Sequence, residues 1–257
     1  MIKNYLLRRP LLLTLFLLGY LLFLLVSLPA AQILPRLPLP VGLQLRNING
    51  TLWQGSISEV SWQKYRLQNL QWEVLFSQLW LGMPTIKLNI QDPETITATG
   101  TIGWRAKWHL RDWHIKTAAN TLQNWAPVPL PINATGALQL NIEQLVIEHQ
   151  ACQSLTGQLN WQQALINTPS GALVLGNPIA NLNCQNNAFT AAIKQDSAAL
   201  HSQVSVQLNL QGQYKLQATL RPDTELPDAL HSALGWLGSP DNKGNILTKQ
   251  EGYLPYF

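Results

Sequence analysis

The stretch SVQLNLQGQYKLQATL, residues 205–220, decides the fold. Together with the preceding Val204, the side chains of Val206, Leu208 and Leu210 fall on one side of an extended chain. Ser205, Gln207, Asn209 and Gln211 fall on the other. After Gly212 the alternation resumes with Tyr214, Leu216, Ala218 and Leu220. A period of two means a sheet with one apolar and one polar face, and such half-wetted sheets are usually antiparallel. The same alternation recurs upstream in Leu43 and Leu45, in Ile86, Leu88 and Ile90, and in Leu138, Leu140 and Ile142. The expected fold class is therefore mainly β, built from amphipathic, largely antiparallel strands as either a curved open sheet or a β sandwich. Helical periodicity is scarce. LQWEVLFSQLWL (residues 70–81) and residues 226–237, between Pro227 and Gly238, are the two segments expected as short amphipathic helices.

The N-terminus has a different pattern. Residues 11–28 contain no charged side chain, and a helix of that length nearly crosses a hydrocarbon core of about 30 Å. Pro10 suits a first helical turn. Lys3, Arg8 and Arg9 precede the run with no acid among them, a charge bias that keeps such a flank in the cytoplasm. The expectation is a single transmembrane helix within residues 1–28, N-terminus cytoplasmic, with the remainder on the opposite side. A cleavable leader ending near residues 28–31 is the rival, although the apolar run exceeds the usual leader length. Residues 29–42, with Pro29, Pro35, Pro38 and Pro40, read as a stiff Pro/Leu connector. Two β subdomains are expected beyond it, at 43–126 and 127–257. Pro127, Pro129 and Pro131 mark the boundary, and the second subdomain includes a C-terminal tail.

Composition narrows the chemistry. Of 17 basic residues, removing the three before the apolar run leaves 14 against 13 acidic ones. So neutral a chain lacks the basic field that nucleic-acid backbones require. The histidines form no HExxH pattern. His109 and His114 sit in WHLRDWHIK, and their odd separation would place them on opposite faces of a strand. No GxSxG elbow or dinucleotide-binding glycine loop occurs. No catalytic residue, metal site or cofactor is expected, and the chain does not read as an enzyme. Cys152 and Cys184 are the only cysteines. They either bridge, as an oxidising compartment permits, or stay as unlinked thiols. GTLWQG (residues 50–55) reads as a tight β corner in which Gly50 and Gly55 supply unusual backbone geometry and Trp53 packs or contacts a partner. Most of the ten tryptophans are expected in the core.

The basic cap and apolar run, the Pro/Leu connector, GTLWQG, the LQWEV segment, the GTIG turn and the ending GWLGSPDNKGNILTKQEGYLP occur in an order that resembles the type II secretion system protein N (general secretion pathway protein N) family. The resemblance covers nearly the whole chain and implies a bitopic protein of the cell inner membrane with a periplasmic domain. It implies an accessory, non-enzymatic role in exporting folded proteins across the outer membrane. The implied partners are other secretion components, either inner-membrane clamp proteins or the outer-membrane channel. No catalytic residue is carried over, and Gly50, Trp53 and Gly55 come across as a structural landmark. The Cys152–Cys184 pair matches a form associated with the family, which implies a disulfide. A weaker resemblance, to AsmA-like bridge-like lipid-transfer proteins, rests on the β corner followed by amphipathic strands. It implies an apolar groove that binds or transfers lipid, lined by Val204, Val206, Leu208, Leu210, Tyr214, Leu216 and Leu220.

Overall fold

The computed structural model describes residues 3–125, 132–169, 171–235 and 237–254. The chain forms two compact units, Met1–Val74 and Leu75–Phe257. The boundary expected at 126/127, with Pro127, Pro129 and Pro131, lies outside the described residues, as does Trp236.

The first unit opens with helix α1 (Lys3–Val26). The expected membrane span is corrected here: among the described residues no helix is long and apolar enough to cross a membrane. The side chains of α1 are described from residue 12 onward. Helix α1 ends at Val26, so of the uncharged run residues 11–26 are helical; they rise by about 24 Å at helical pitch, short of a hydrocarbon core of about 30 Å. The single-pass inner-membrane topology with a cytoplasmic N-terminus rested on that span and is corrected with it. Lys3, Arg8 and Arg9 lie along α1, with side chains outside the described residues.

In the connector, α2 (Ala30–Ile33) and a 3-10 turn over Leu34–Arg36 follow Pro29. Strands β1 (Leu43–Gly50), β2 (Gln54–Trp62) and β3 (Tyr65–Val74) then pair in antiparallel succession. The helix expected over residues 70–81 is therefore strand through Val74. Leu70 and Trp72 alternate with Gln71 and Glu73, and they pair in register with Ile57 and Gly55 of β2. That ladder outweighs a helical period which the same residues also satisfy, leaving one turn, α3 (Phe76–Leu79), in the second unit.

The second unit continues with β4 (Thr85–Asp92), β5 (Ile96–Arg105), β6 (Lys107–Ala118), α4 (Ala119–Trp125), β7 (Asn133–Glu148) and β8 (Ala151–Thr168). Then come β9 (Gly171–Gly176), β10 (Ile179–Gln185), β11 (Ala188–Asp196), β12 (Leu200–Leu208), β13 (Gln213–Pro222), α5 (Asp228–Leu234) and β14 (Ile246–Tyr253). From β4 to β14 the strands of this unit lie side by side in sequence order as one antiparallel sheet. The exception is β9, which pairs with β8 off the main path. Short turns make this order cheap. His149–Gln150 and Asn186–Asn187 both take positive φ at two-residue hairpin loops, the geometry that matches strand twist. A buried cluster of Ala164, Leu175 and Leu200 is lined by Trp161, Ile166, Leu173, Leu220 and Leu234, where β9 and α5 meet the sheet. Cys152, 1 % exposed, is bonded to Cys184 as a disulfide that ties the start of β8 to the end of β10, with Cα atoms 5.7 Å apart.

One device recurs in both units. An aromatic ring lies across a glycine of the adjacent strand, and where the ring is an indole its N–H donates to a nearby carbonyl. Trp72 covers Gly55 and donates to Leu52 O at 3.1 Å; Trp113 covers Gly100 and donates to Thr101 O at 3.0 Å. Trp161 lies against Gly136 and donates to Thr135 O at 3.0 Å, and Tyr214 covers Gly252. These contacts are the natural form of the aromatic cover used to stabilise glycines in sheets. They account for three of the tryptophans without a large core. Trp80, by contrast, is 93 % exposed.

A Cβ at Gly100 would overlap the Trp113 indole, so Gly100→Ala should cost about 1–3 kcal/mol in urea unfolding. Gly19→Ala, which meets nothing within 4 Å, should cost none. For the disulfide, whose sequence separation is 32, Cys152→Ser should lower stability by about 3–4 kcal/mol on the chain-entropy model, read as a fall in the urea midpoint.

Candidate functional site

In the first unit the GTLWQG corner closes the β1–β2 hairpin, with Gly50 and Gly55 directly paired. Gly50 has φ +90° and a Cβ there would press on the Gln54 carbonyl, so the corner needs glycine for both conformation and space. Thr51 Oγ1 accepts the amide N–H groups of Trp53 and Gln54, each at 3.3 Å. The corner also receives the end of α1. Trp53 Nε1 donates to Leu25 O at 2.8 Å, Leu52 N–H donates to Leu28 O at 3.0 Å, and Pro29 bridges to Thr51. Trp53 is thus engaged as a clamp between helix and sheet within this unit.

In the second unit, register settles which apolar residues share a face. Val204 pairs with Ala218, Val206 with Leu216 and Leu208 with Tyr214. Across the other ladder the same residues pair with Ile193, Ala191 and Phe189 of β11. Leu220 joins this face at the end where it packs on the buried cluster. Leu210 lies elsewhere, in the turn after β12, where the Asn209 side chain accepts the amides of Gln211 and Gln213 at 3.1 and 2.8 Å and ends the alternation. Val204, Val206, Leu208, Tyr214 and Leu216 remain only half-buried. Phe189, Ala191 and Ile193 were legible as a short alternating run in FTAAIK but are not among the residues singled out from sequence.

The opposite face of these strands is polar. Two shallow depressions of about 290 and 330 Å³ share Lys194, Gln203 and Thr219 among their linings. At one end His201 is held between two carboxylates: Nδ1 contacts Asp196, and Nε2 lies 3.1 Å from Asp223 Oδ2. The Thr224 backbone N–H and the His201 ring together hold the Asp223 carboxyl below its ordinary value. Both ring nitrogens of His201 are thereby occupied. Among the described residues no group of three or more His, Cys, Asp or Glu side chains is disposed to hold a metal ion. The expectation that His109 and His114 lie on opposite faces is corrected. Asp112, with φ +53°, introduces a bulge in β6, after which His114 pairs with Thr99 where an unbroken register would give another residue. His109 pairs with Gly103, and because Thr99 and Gly103 lie four residues apart on β5, the two imidazoles share a face. His114 Nδ1 lies 2.9 Å from Asn141 Oδ1.

A family profile described as "Type II secretion system (T2SS), protein N" matches residues 41–248. The chain is 34 % identical over 250 residues to a type II secretion system protein N of Aeromonas hydrophila, covering 96 % of this chain and 99 % of that one. It is 33 % identical to the protein of that name from Vibrio cholerae, over 89 % of this chain and 92 % of the relative. The Pectobacterium carotovorum protein is also 33 % identical, over 92 % and 94 %. No solved structure matches the chain significantly. The chain belongs to the type II secretion system protein N family, and is a non-enzymatic component of that system.

Proposed function

We propose that the chain works in the secretion machine as a docking platform, and that the apolar face of β11–β13 is where another component of the machine sits. Family membership supports interaction with other secretion components. The observation that carries the finer reading is the incomplete cover on this face. Val204, Val206, Leu208, Tyr214 and Leu216 are half-buried although no other layer packs over them among the described residues. Apolar surface left in water forfeits roughly 25 cal/mol per Å², so a protein that covers it gains that energy on binding. Its partner would be one of the clamp proteins of the system or its outer-membrane channel. The lipid-handling alternative finds no support: the depressions on these strands lie on the polar face and carry Lys194 and Lys249.

A photoreactive amino acid at Val206 or Leu216 should capture another secretion component in cells, whereas the same group at Ser205 or Gln217, on the polar face, should not. Leu208→Asp should reduce both capture and secretion while the Cys152–Cys184 bond still forms. Equal capture from both faces, or full secretion by a folded Leu208→Asp chain, would overturn the proposal.

A further inference from the structure

Within the second unit, Thr85 pairs with Gly103, Trp104 with Trp108, and Trp108 with Ile147. One end of the sheet therefore gathers the start of β4, the turn between β5 and β6, and the turn between β7 and β8. The segment that leads into β4 is strapped to this end. Leu75 N–H donates to Thr85 O at 2.9 Å, Trp104 N–H to Pro84 O at 3.1 Å, and Arg105 Nη1 to Leu81 O at 3.3 Å. Inside the segment, Gly82 N–H donates to Leu79 O at 2.9 Å and Met83 N–H to Gln78 O at 3.1 Å. Trp80 and Leu81 thus sit on a closed turn fixed beside the β5–β6 hairpin.

The large side chains gathered here are not used by the fold. Trp80 is 93 % exposed, Leu81 65 %, and Trp104 and Trp108 52 % each. Trp53, Trp62, Trp72, Trp113 and Trp161 all donate their indole N–H to a carbonyl, as an indole engaged by a fold usually does. The indoles of Trp80, Trp104 and Trp108 donate to nothing among the described residues. Trp104 and Trp108 are directly paired and share one face of the hairpin, while Arg105 and Lys107 are paired on the other. Lys87 adds a third cation on the face of Arg105 and Lys107, through its pairing with Thr101. Against these stands one acid at this end among the described residues, Glu148, which lies 2.8 Å from Lys107.

We propose that this end of the second unit rests on an anionic lipid surface. Trp80, Leu81, Trp104 and Trp108 enter the boundary between headgroups and acyl chains, and Arg105, Lys107 and Lys87 face the phosphates. A concentrated exposed apolar patch marks a contact with protein or membrane, and the chemistry of this one selects the membrane. Protein interfaces seat their aromatic anchors in packed pockets, whereas these side chains are carried on turns and strand ends. An exposed indole with an unspent N–H suits a boundary that is apolar on one side and wet on the other. The excess of cations complements lipid phosphate, and each basic residue near an anionic leaflet strengthens attachment several-fold. The contact is with the surface of the bilayer and takes up no single lipid. It also leaves β11–β13, farther along the sheet, open to a protein partner.

The test uses the full chain, reconstituted from mild detergent with vesicles of phosphatidylethanolamine and phosphatidylglycerol. The exposed leucines of α1 can bind vesicles by themselves, so the readout is local to the patch. Both native cysteines are held in the disulfide, so Leu81→Cys supplies a single thiol for an environment-sensitive fluorophore. Glu94→Cys, in the turn at the other end of β4 and β5, carries the same fluorophore as control. The probe at 81 should shift to the blue and be quenched by brominated lipid; the probe at 94 should do neither. Lys87→Gln combined with Arg105→Gln should lower the ratio of quenched to unquenched probe at 81 roughly tenfold, with the Cys152–Cys184 bond still formed. Replacing phosphatidylglycerol by phosphatidylcholine should lower that ratio without any change to the chain. Equal quenching at 81 and 94, quenching indifferent to both changes of charge, or a probe at 81 that lipid never quenches, including one shielded by another secretion component instead, would each overturn the proposal.

Discussion

Within each unit, what holds a strand in place is the backbone ladder to the strand next to it in sequence. The buried apolar cluster of the second unit is small and confined to the neighbourhood of β9 and α5, so it cannot organise the strands that lie away from it. Hairpin turns with positive φ, as at Gln63, Ala106, His149–Gln150 and Asn186–Asn187, bring several of the strands back beside their predecessors. The cross-strand pairs then supply the local energy that sheets depend on. The aromatic covers over Gly55, Gly100, Gly136 and Gly252 strengthen this arrangement, because each fixes a ring of one strand to the backbone of the next. At Gly55 and Gly252 the ring and the glycine are directly paired, so a slip of register would drive the ring into a side chain.

The same constraint explains what could be read from residues alone. Alternation in residues 204–208 and 214–220 was legible, because a two-residue period is visible without knowing the partner strand. Leu210 was not, because the Asn209 side chain ends the strand by accepting backbone amides, and asparagine is equally at home on a polar strand face. The placement of His109 and His114 failed for a related reason. One residue in a left-handed conformation, Asp112, reverses the parity of everything after it, and an aspartate in a strand announces nothing of the kind. Residues 70–81 satisfy both a helical and an extended period. Only the pairing with β2 decides between them, and pairing is a property of two segments.

The recurring glycine-led segments were visible in the sequence as turning points. Gly50 fits that role, with its positive φ at the corner. Gly55 and Gly100 do something else: they leave room within a ladder for an indole. The signal that could have identified them is a tryptophan at the matching position of the neighbouring strand, which needs the register first. The N-terminal helix shows the reverse problem. A count of uncharged residues gives a length in sequence, whereas crossing a hydrocarbon layer requires that length as apolar helix. The family assignment stood on motif order and is independent of how that segment is disposed.

The sequential order of strands also bears on how the chain reaches its folded form. Contacts between near neighbours in sequence close small loops, the condition under which folding is fast. In a chain that emerges from a ribosome or a translocation pore with its N-terminus leading, each hairpin can lock onto the edge left by the one before, with no need to await a distant segment. The bond between Cys152 and Cys184 is the exception. It links β8 to β10 across the intervening β9, so oxidation must wait until β10 has docked. The thiols thus time-stamp assembly, since their disappearance marks the moment at which the growing sheet has passed its midpoint.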